Sequence, residues 1–67
     1  DRDAFENALE NAIDGLPKDQ QVVVEMRRQG LSFKEISKKL GVNMNTLLGR
    51  MHYAVNRLKE ELKDFVD

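Results

Sequence analysis

A chain of 67 residues, 40% hydrophobic and free of cysteine, can bury one small core near the lower size at which a domain holds without a disulfide or a metal. That size leaves no room for a large catalytic cleft, and a single histidine, His52, without cysteine excludes both a disulfide framework and a zinc site of Cys and His ligands. No apolar run approaches the ~20 residues that cross a bilayer, and the start DRDAFENALE is too acidic for a signal peptide, so a cytoplasmic protein with no membrane contact is expected.

Helical spacing recurs along the chain and nothing alternates like a strand, so the fold class is all-α. Four helices are expected, three short and one long, within a single domain over 1–67. Because the sequence starts at Asp1 inside a helical pattern and without an initiator Met, a fragment of a longer chain is expected. The first helix, about 3–14, carries Ala4, Phe5, Ala8, Leu9, Ala12 and Ile13 on one apolar stripe. Gly15 is expected to end it in the left-handed conformation.

A second helix, about 17–29, starts with Pro17 in the first turn, where the missing N–H costs nothing. Val22, Val23 and Met26 give it a buried face. Three consecutive valines are poor helix formers, so packing must hold this segment. Arg27 and Arg28 suit the negative end of the helix, which Gly30 stops.

In the third helix, about 33–40, Ser32 and Glu35 form a capping box. Phe33, Ile36 and Leu40 point inward, Lys34, Lys38 and Lys39 outward, and Ser37 is placed at the crossing with the next helix. Gly41 permits a positive φ, Val42 plugs the core and Asn43 caps the fourth helix, about 44–65. There Leu47, Met51, Ala54, Leu58, Leu62 and Phe65 recur every three or four residues, a helix of about 30 Å.

Two helices joined by a tight glycine-containing turn make a helix-turn-helix, whose second helix can enter a DNA major groove. Charge distribution fits this reading better than the net charge of −1 does. Residues 1–25 hold seven acids against two bases, 26–57 seven bases against Glu35 alone, and 58–67 four acids against two bases. A basic block between acidic ends binds phosphates locally, although a solvated surface with uneven charge has the same pattern.

Positions in the first turns of the fourth helix that avoid its apolar stripe are Met44, Asn45, Leu48, Gly49 and His52, the candidate base readers. Asn45 can pair bidentately with adenine, Met44 or Leu48 can pack on a thymine methyl, and Gly49 allows the backbone to approach. Lys34, Lys38, Asn43, Thr46, Arg50 and Tyr53 are the phosphate candidates, helped by the helix N-terminus. Each has a plain alternative. Asn45 and Thr46 occur in any capped first turn, Arg50 can pair with an acid, and Leu48 can be a core position. Catalysis is not expected, because no carboxylate or nucleophile stands at helical spacing from His52. No cofactor, metal or small-molecule substrate is expected either.

The order Leu16-Pro17, a valine-rich helix, GLSFKEISKKLGV and NTLLGRMHYAVNRLKEEL resembles the C-terminal promoter-reading domain of bacterial sigma factors, the extracytoplasmic-function group above all. Glu35, Ile36, Leu40, Gly41, Thr46, Arg50, Ala54 and Leu58 carry the likeness, which spans about 5–62. It implies a sheet-free, sigma-type relative of the winged-helix fold. It also implies that the fourth helix reads the upstream (−35) promoter element in double-stranded DNA, while the domain docks on the β flap of the RNA polymerase core. Leu48 and Gly49 stand where Lys and Ser are common, Ser37 where Ala is usual, and Tyr53 and Val55 where Arg is frequent. Response-regulator activators share the central motif without the Leu-Pro start. The rival reading is a helix-turn-helix kept for protein interaction, with an anti-sigma factor or a polymerase subunit covering Leu48, Met51 or Tyr53.

Overall fold

The computed structural model describes residues 2–66, so Asp1 and Asp67, whose charges enter the counts above, lie outside the described residues. Among the described residues five helices follow one another: α1 Arg2–Asp14, α2 Lys18–Arg28, α3 Phe33–Leu40, α4 Met44–Glu61 and α5 Lys63–Val66. Helix α4 is the spine, with α1, α2 and α3 packed against it.

Two buried groups hold the helices on that spine. Ile13, Leu16, Val24 and Ala54 form one, backed by Leu9, Met51 and Leu58. Val23, Ile36 and Leu47 form the other, backed by Met26, Leu31, Phe33, Leu40, Val42 and Met51. Half-buried Met51 touches both, and its unbranched thioether fits the irregular space between them. Adjacent valines of α2 divide the same way, Val23 into the second group and Val24 into the first. The buried face of α2 is therefore turned from the expected one: Val23 and Val24 are buried, while Val22 and Met26 are only half-buried. A helix wedged between two core groups presents neighbouring residues to each, which its three β-branched residues tolerate because packing outweighs propensity.

Along α1 the expected stripe thins towards the N-terminus. Ile13 is buried, Phe5, Ala8, Leu9 and Ala12 are half-buried, and Ala4 is exposed. Gly15 does not take the left-handed conformation. Among the described residues only Gly30 (φ 95°) and Gly41 (φ 66°) have positive φ. Gly15 instead continues as a tight turn, its N–H donating to the Asn11 and Ala12 carbonyls at 3.2 Å. That turn keeps Leu16, 5% exposed, beside Ile13 in the core. Pro17 is the N-cap of α2 and not its first helical residue. With ψ at 148°, its carbonyl accepts from the Gln20 and Gln21 N–H groups at 3.0 and 2.9 Å. At the other end Gln29 is the C-cap, so α2 is one residue shorter at each end than the spacing predicts.

The fourth helix also stops early. Leu62 (φ −107°, ψ 11°) closes α4, and a separate turn of helix, α5, follows where one helix to residue 65 was expected. Leu62 is buried at 6% exposure, and the bend lets Phe65 reach the Phe5 ring, 5.8 Å away and edge-on. An aromatic pair between the chain ends offsets the backbone bonds that a straight helix would add.

Local chemistry sets both ends of α3. Ser32 Oγ accepts from the Glu35 N–H at 3.1 Å and the Ser32 N–H donates to Glu35 Oε1 at 2.8 Å, a complete capping box. The bond from the Ser32 backbone, then its side chain, and the nearby Lys39 charge hold the Glu35 carboxyl below its ordinary pKa. A carboxylate with a lowered folded-state pKa stabilises the fold above its unfolded pKa, and the contribution disappears as pH falls through the folded value. Urea midpoints measured across the acid range are therefore expected to fall on acidification, and Glu35→Gln is expected to flatten that fall.

Candidate nucleic-acid interface

Helix α3, the turn 41–43 and α4 form the helix-turn-helix. Gly41 closes α3 in the left-handed conformation (φ 66°, ψ 32°), its N–H donating to the Ser37 carbonyl at 2.9 Å. Ser37, expected at the crossing of the two helices, is half-buried, and its hydroxyl donates to the Val42 carbonyl. The turn is thus tied at a glycine backbone and a serine side chain, which fixes where α4 begins. Asn43 Oδ1 then accepts from the Thr46 N–H at 2.8 Å, and the Asn43 carbonyl accepts from the Leu47 N–H at 3.1 Å. The N–H groups of Met44 and Asn45 precede these bonds and are left for an outside acceptor.

At 100° per residue, Asn45, Leu48, Gly49, His52 and Asn56 fall within an arc of about 100° on α4, opposite Leu47 and Ala54. Leu47 and Ala54 are fully buried. Leu48, whose alternative was a place in the core, is 44% exposed and belongs to neither buried group. Met44 is 37% exposed, on the flank of the same face. Asn56 Nδ2 donates to His52 Nε2 at 3.2 Å, and the Tyr53 ring lies edge-on to His52 with centroids 5.9 Å apart. His52 is thereby positioned along α4. Asn56 was missed in the sequence, although its place eleven residues after Asn45 and four after His52 puts it on the same face.

Gly49 has no packing reason to be glycine. A Cβ built there meets nothing within 4 Å, and the residue sits mid-helix with ordinary φ. Helical glycine costs about 1 kcal/mol relative to alanine, so Gly49→Ala is expected to raise the urea midpoint. If the α4 backbone comes close to a ligand at this point, the same variant binds that ligand more weakly, and the two measurements move in opposite directions.

The phosphate candidates divide into committed and uncommitted groups. Asn43 and Thr46 spend the carboxamide oxygen and the N–H on the cap, so the Asn43 NH2 and the Thr46 hydroxyl remain. Arg50 is not a free cation: its Nε lies 3.5 Å from Asp19 Oδ2 of α2. Three other arginines of the basic block are also engaged. Arg27 donates to the Leu31 carbonyl at 2.8 Å and lies over the Phe33 ring, Arg28 pairs with Glu10 and Glu25, and Arg57 pairs with Glu61. The Arg28 bond to Glu10, at 2.8 Å, joins α2 to α1 and raises the pKa of that guanidinium.

Lys34, Lys38 and Lys39 are exposed and have no hydrogen bond or ion pair among the described residues, although Glu35 feels the charge of Lys39. Within the basic block the available positive charge therefore sits on α3, the helix that the turn 41–43 joins to the start of α4. Lys39, next to Lys38 and outward in the same pattern, belongs with the phosphate candidates and was overlooked. Tyr53 is 66% exposed on the flank of α4 that also carries Thr46 and Arg57. A concavity of 430 Å³ lined by Ala8, Asn11, Ala12, Gly15, Arg57 and Glu61 lies against the other half of α4 and includes none of the candidate base readers or phosphate candidates.

The family described as sigma-70, region 4 matches residues 6–58, from the middle of α1 through most of α4. The chain belongs to the sigma-70 region 4 family. No curated protein and no solved structure matches it. Region 4 is the part of a sigma factor that reads the −35 promoter element, a DNA-binding regulatory domain and not an enzyme family. Its all-α helix-turn-helix architecture is the one found here. Among the described residues, no helix of this region 4 domain is long and apolar enough to cross a membrane.

Proposed function

We propose that this chain reads the −35 element of promoter DNA with the first half of α4, as one region of a sigma factor acting with RNA polymerase in the cytoplasm. The observation that carries the reading is the pairing of two surfaces. The outward face of Asn45, Leu48, Gly49 and His52 lies on the helix that the turn 41–43 joins to α3, whose three exposed lysines make no hydrogen bond or ion pair among the described residues. In this arrangement Asn45 reads adenine, Met44 or Leu48 meets a thymine methyl, and the lysines and the open N–H groups at the start of α4 take phosphates. Few cations are available, so useful occupancy depends on polymerase and on further DNA contacts elsewhere in the sigma factor.

Selection of duplexes from a randomised pool by the 67-residue chain at low salt tests the reading. Enrichment of one short motif containing adenine supports it, and recovery of an unenriched pool contradicts it.

A second reading, in which the helix-turn-helix serves a protein partner such as an anti-sigma factor or polymerase subunit, is favoured by one observation. Met44, Leu48 and Tyr53 are exposed on α4 while Arg50 and Arg57 are engaged within the domain. An α4 surface that responds to a protein partner and not to duplex DNA would select it.

A further inference from the structure

Asp19, in the first turn of α2, brings a carboxylate against the flank of α4. Its Oδ2 is 3.5 Å from Arg50 Nε, with the two side chains 54% and 30% exposed. Arg50 follows Thr46 by one helical turn, on the flank between the outward face and buried Ala54, from which a long side chain can reach a phosphate bordering the groove. Guanidinium groups bind carboxylate and phosphate through the same fork of donors, so the Nε edge of Arg50 that faces Asp19 serves only one of them at a time. A surface pair of this kind is held weakly enough to be exchanged. Asp19 has a second effect, because it adds a negative charge close to where the DNA backbone must come.

Resting on the promoter-reading function, we propose that Asp19 sets the DNA affinity of this domain. It holds Arg50 in the unbound chain, and binding exchanges the carboxylate for a DNA phosphate. The pair is an internal competitor built into the tertiary fold: the domain carries the arginine for a phosphate contact, and the acid discounts it.

Fluorescence anisotropy of a labelled duplex, titrated with the 67-residue chain at several salt concentrations, provides the test. Asp19→Asn keeps the size and the helix start and removes the charge. It is expected to bind about three- to tenfold more tightly, with a salt slope steeper by up to about one. In an Arg50→Ala background the same substitution is expected to change affinity by less than about twofold, since the competitor has lost its object.

An equal gain in both backgrounds overturns the exchange and leaves Asp19 as a diffuse negative charge. No gain, while replacement of the α3 lysines still weakens binding, overturns the proposal and leaves DNA reading intact. Binding indifferent to Asp19, Arg50 and the lysines alike would remove the DNA-reading function itself.

Discussion

Leu47→Ala is expected to leave the chain largely unfolded in water. Leu47 is fully buried between Val23 of α2 and Ile36 of α3 and lies on the first turn of α4, so it joins the three helices that position the candidate interface. Truncating a buried leucine to alanine costs about 2–5 kcal/mol, depending on how far the site collapses. A domain of this size rarely has more than about 3–5 kcal/mol in total. The cost therefore equals most of the stability, and collapse around the cavity is limited by the helices meeting there. Leu47→Met keeps the volume and is expected to cost under about 1.5 kcal/mol. Far-UV circular dichroism and urea titration of the two variants check the contrast: a helical spectrum for the methionine variant and a mostly lost one for alanine.

Joint replacement of Lys34, Lys38 and Lys39 by alanine is expected to leave the fold intact and weaken duplex DNA binding by at least about tenfold at moderate salt. These side chains are exposed and make no protein hydrogen bond or ion pair among the described residues, so little stability is lost with them. Each phosphate contact removed reduces the steepness of log affinity against log salt by about 0.9. A slope no steeper than about −1, the share left to Arg50, is therefore expected for the triple variant, against about −3 to −4 for the parent chain. Arg28→Ala should behave in the opposite way. It removes the bridge to Glu10 that joins α1 and α2, lowering stability slightly, and touches no expected phosphate contact. Anisotropy titrations and urea midpoints on both variants separate the two kinds of basic residue.

That division could not have been read from composition. The basic block over 26–57 is evident in the sequence, but whether a cation is available depends on tertiary neighbours. Asp19 meets Arg50 only after α2 packs along α4, and Glu10 meets Arg28 only after α1 folds back. Features decided within a few residues were legible. The Ser32 and Glu35 box, the left-handed Gly41 and the Asn43 cap all follow from residue type at fixed spacing, and all form. Features decided by packing were not. The arrest of α4 at Leu62 depends on Phe65 reaching Phe5 across the molecule, and the rotated face of α2 depends on two core groups meeting at one helix. Gly15 misled for the same reason: the need to bury Leu16 prevailed over the usual conformation of a glycine after a helix.

The departures at Leu48 and Gly49 acquire a physical meaning in the folded chain. Both lie on the outward arc of α4, one an exposed apolar side chain and the other a bare stretch of backbone. Under the proposed function, such a reader would depend on shape and apolar contact at the bases, with charge supplied from α3.

The most direct test of that account is a backbone-amide NMR titration of the 67-residue chain with duplex DNA at low salt. Shift changes centred on 44–52, with a second set on α3 around Lys34, Lys38 and Lys39 and little change along α1, are the predicted result. Changes confined to α1 and α5, or none over 44–52 at saturating duplex, would contradict it.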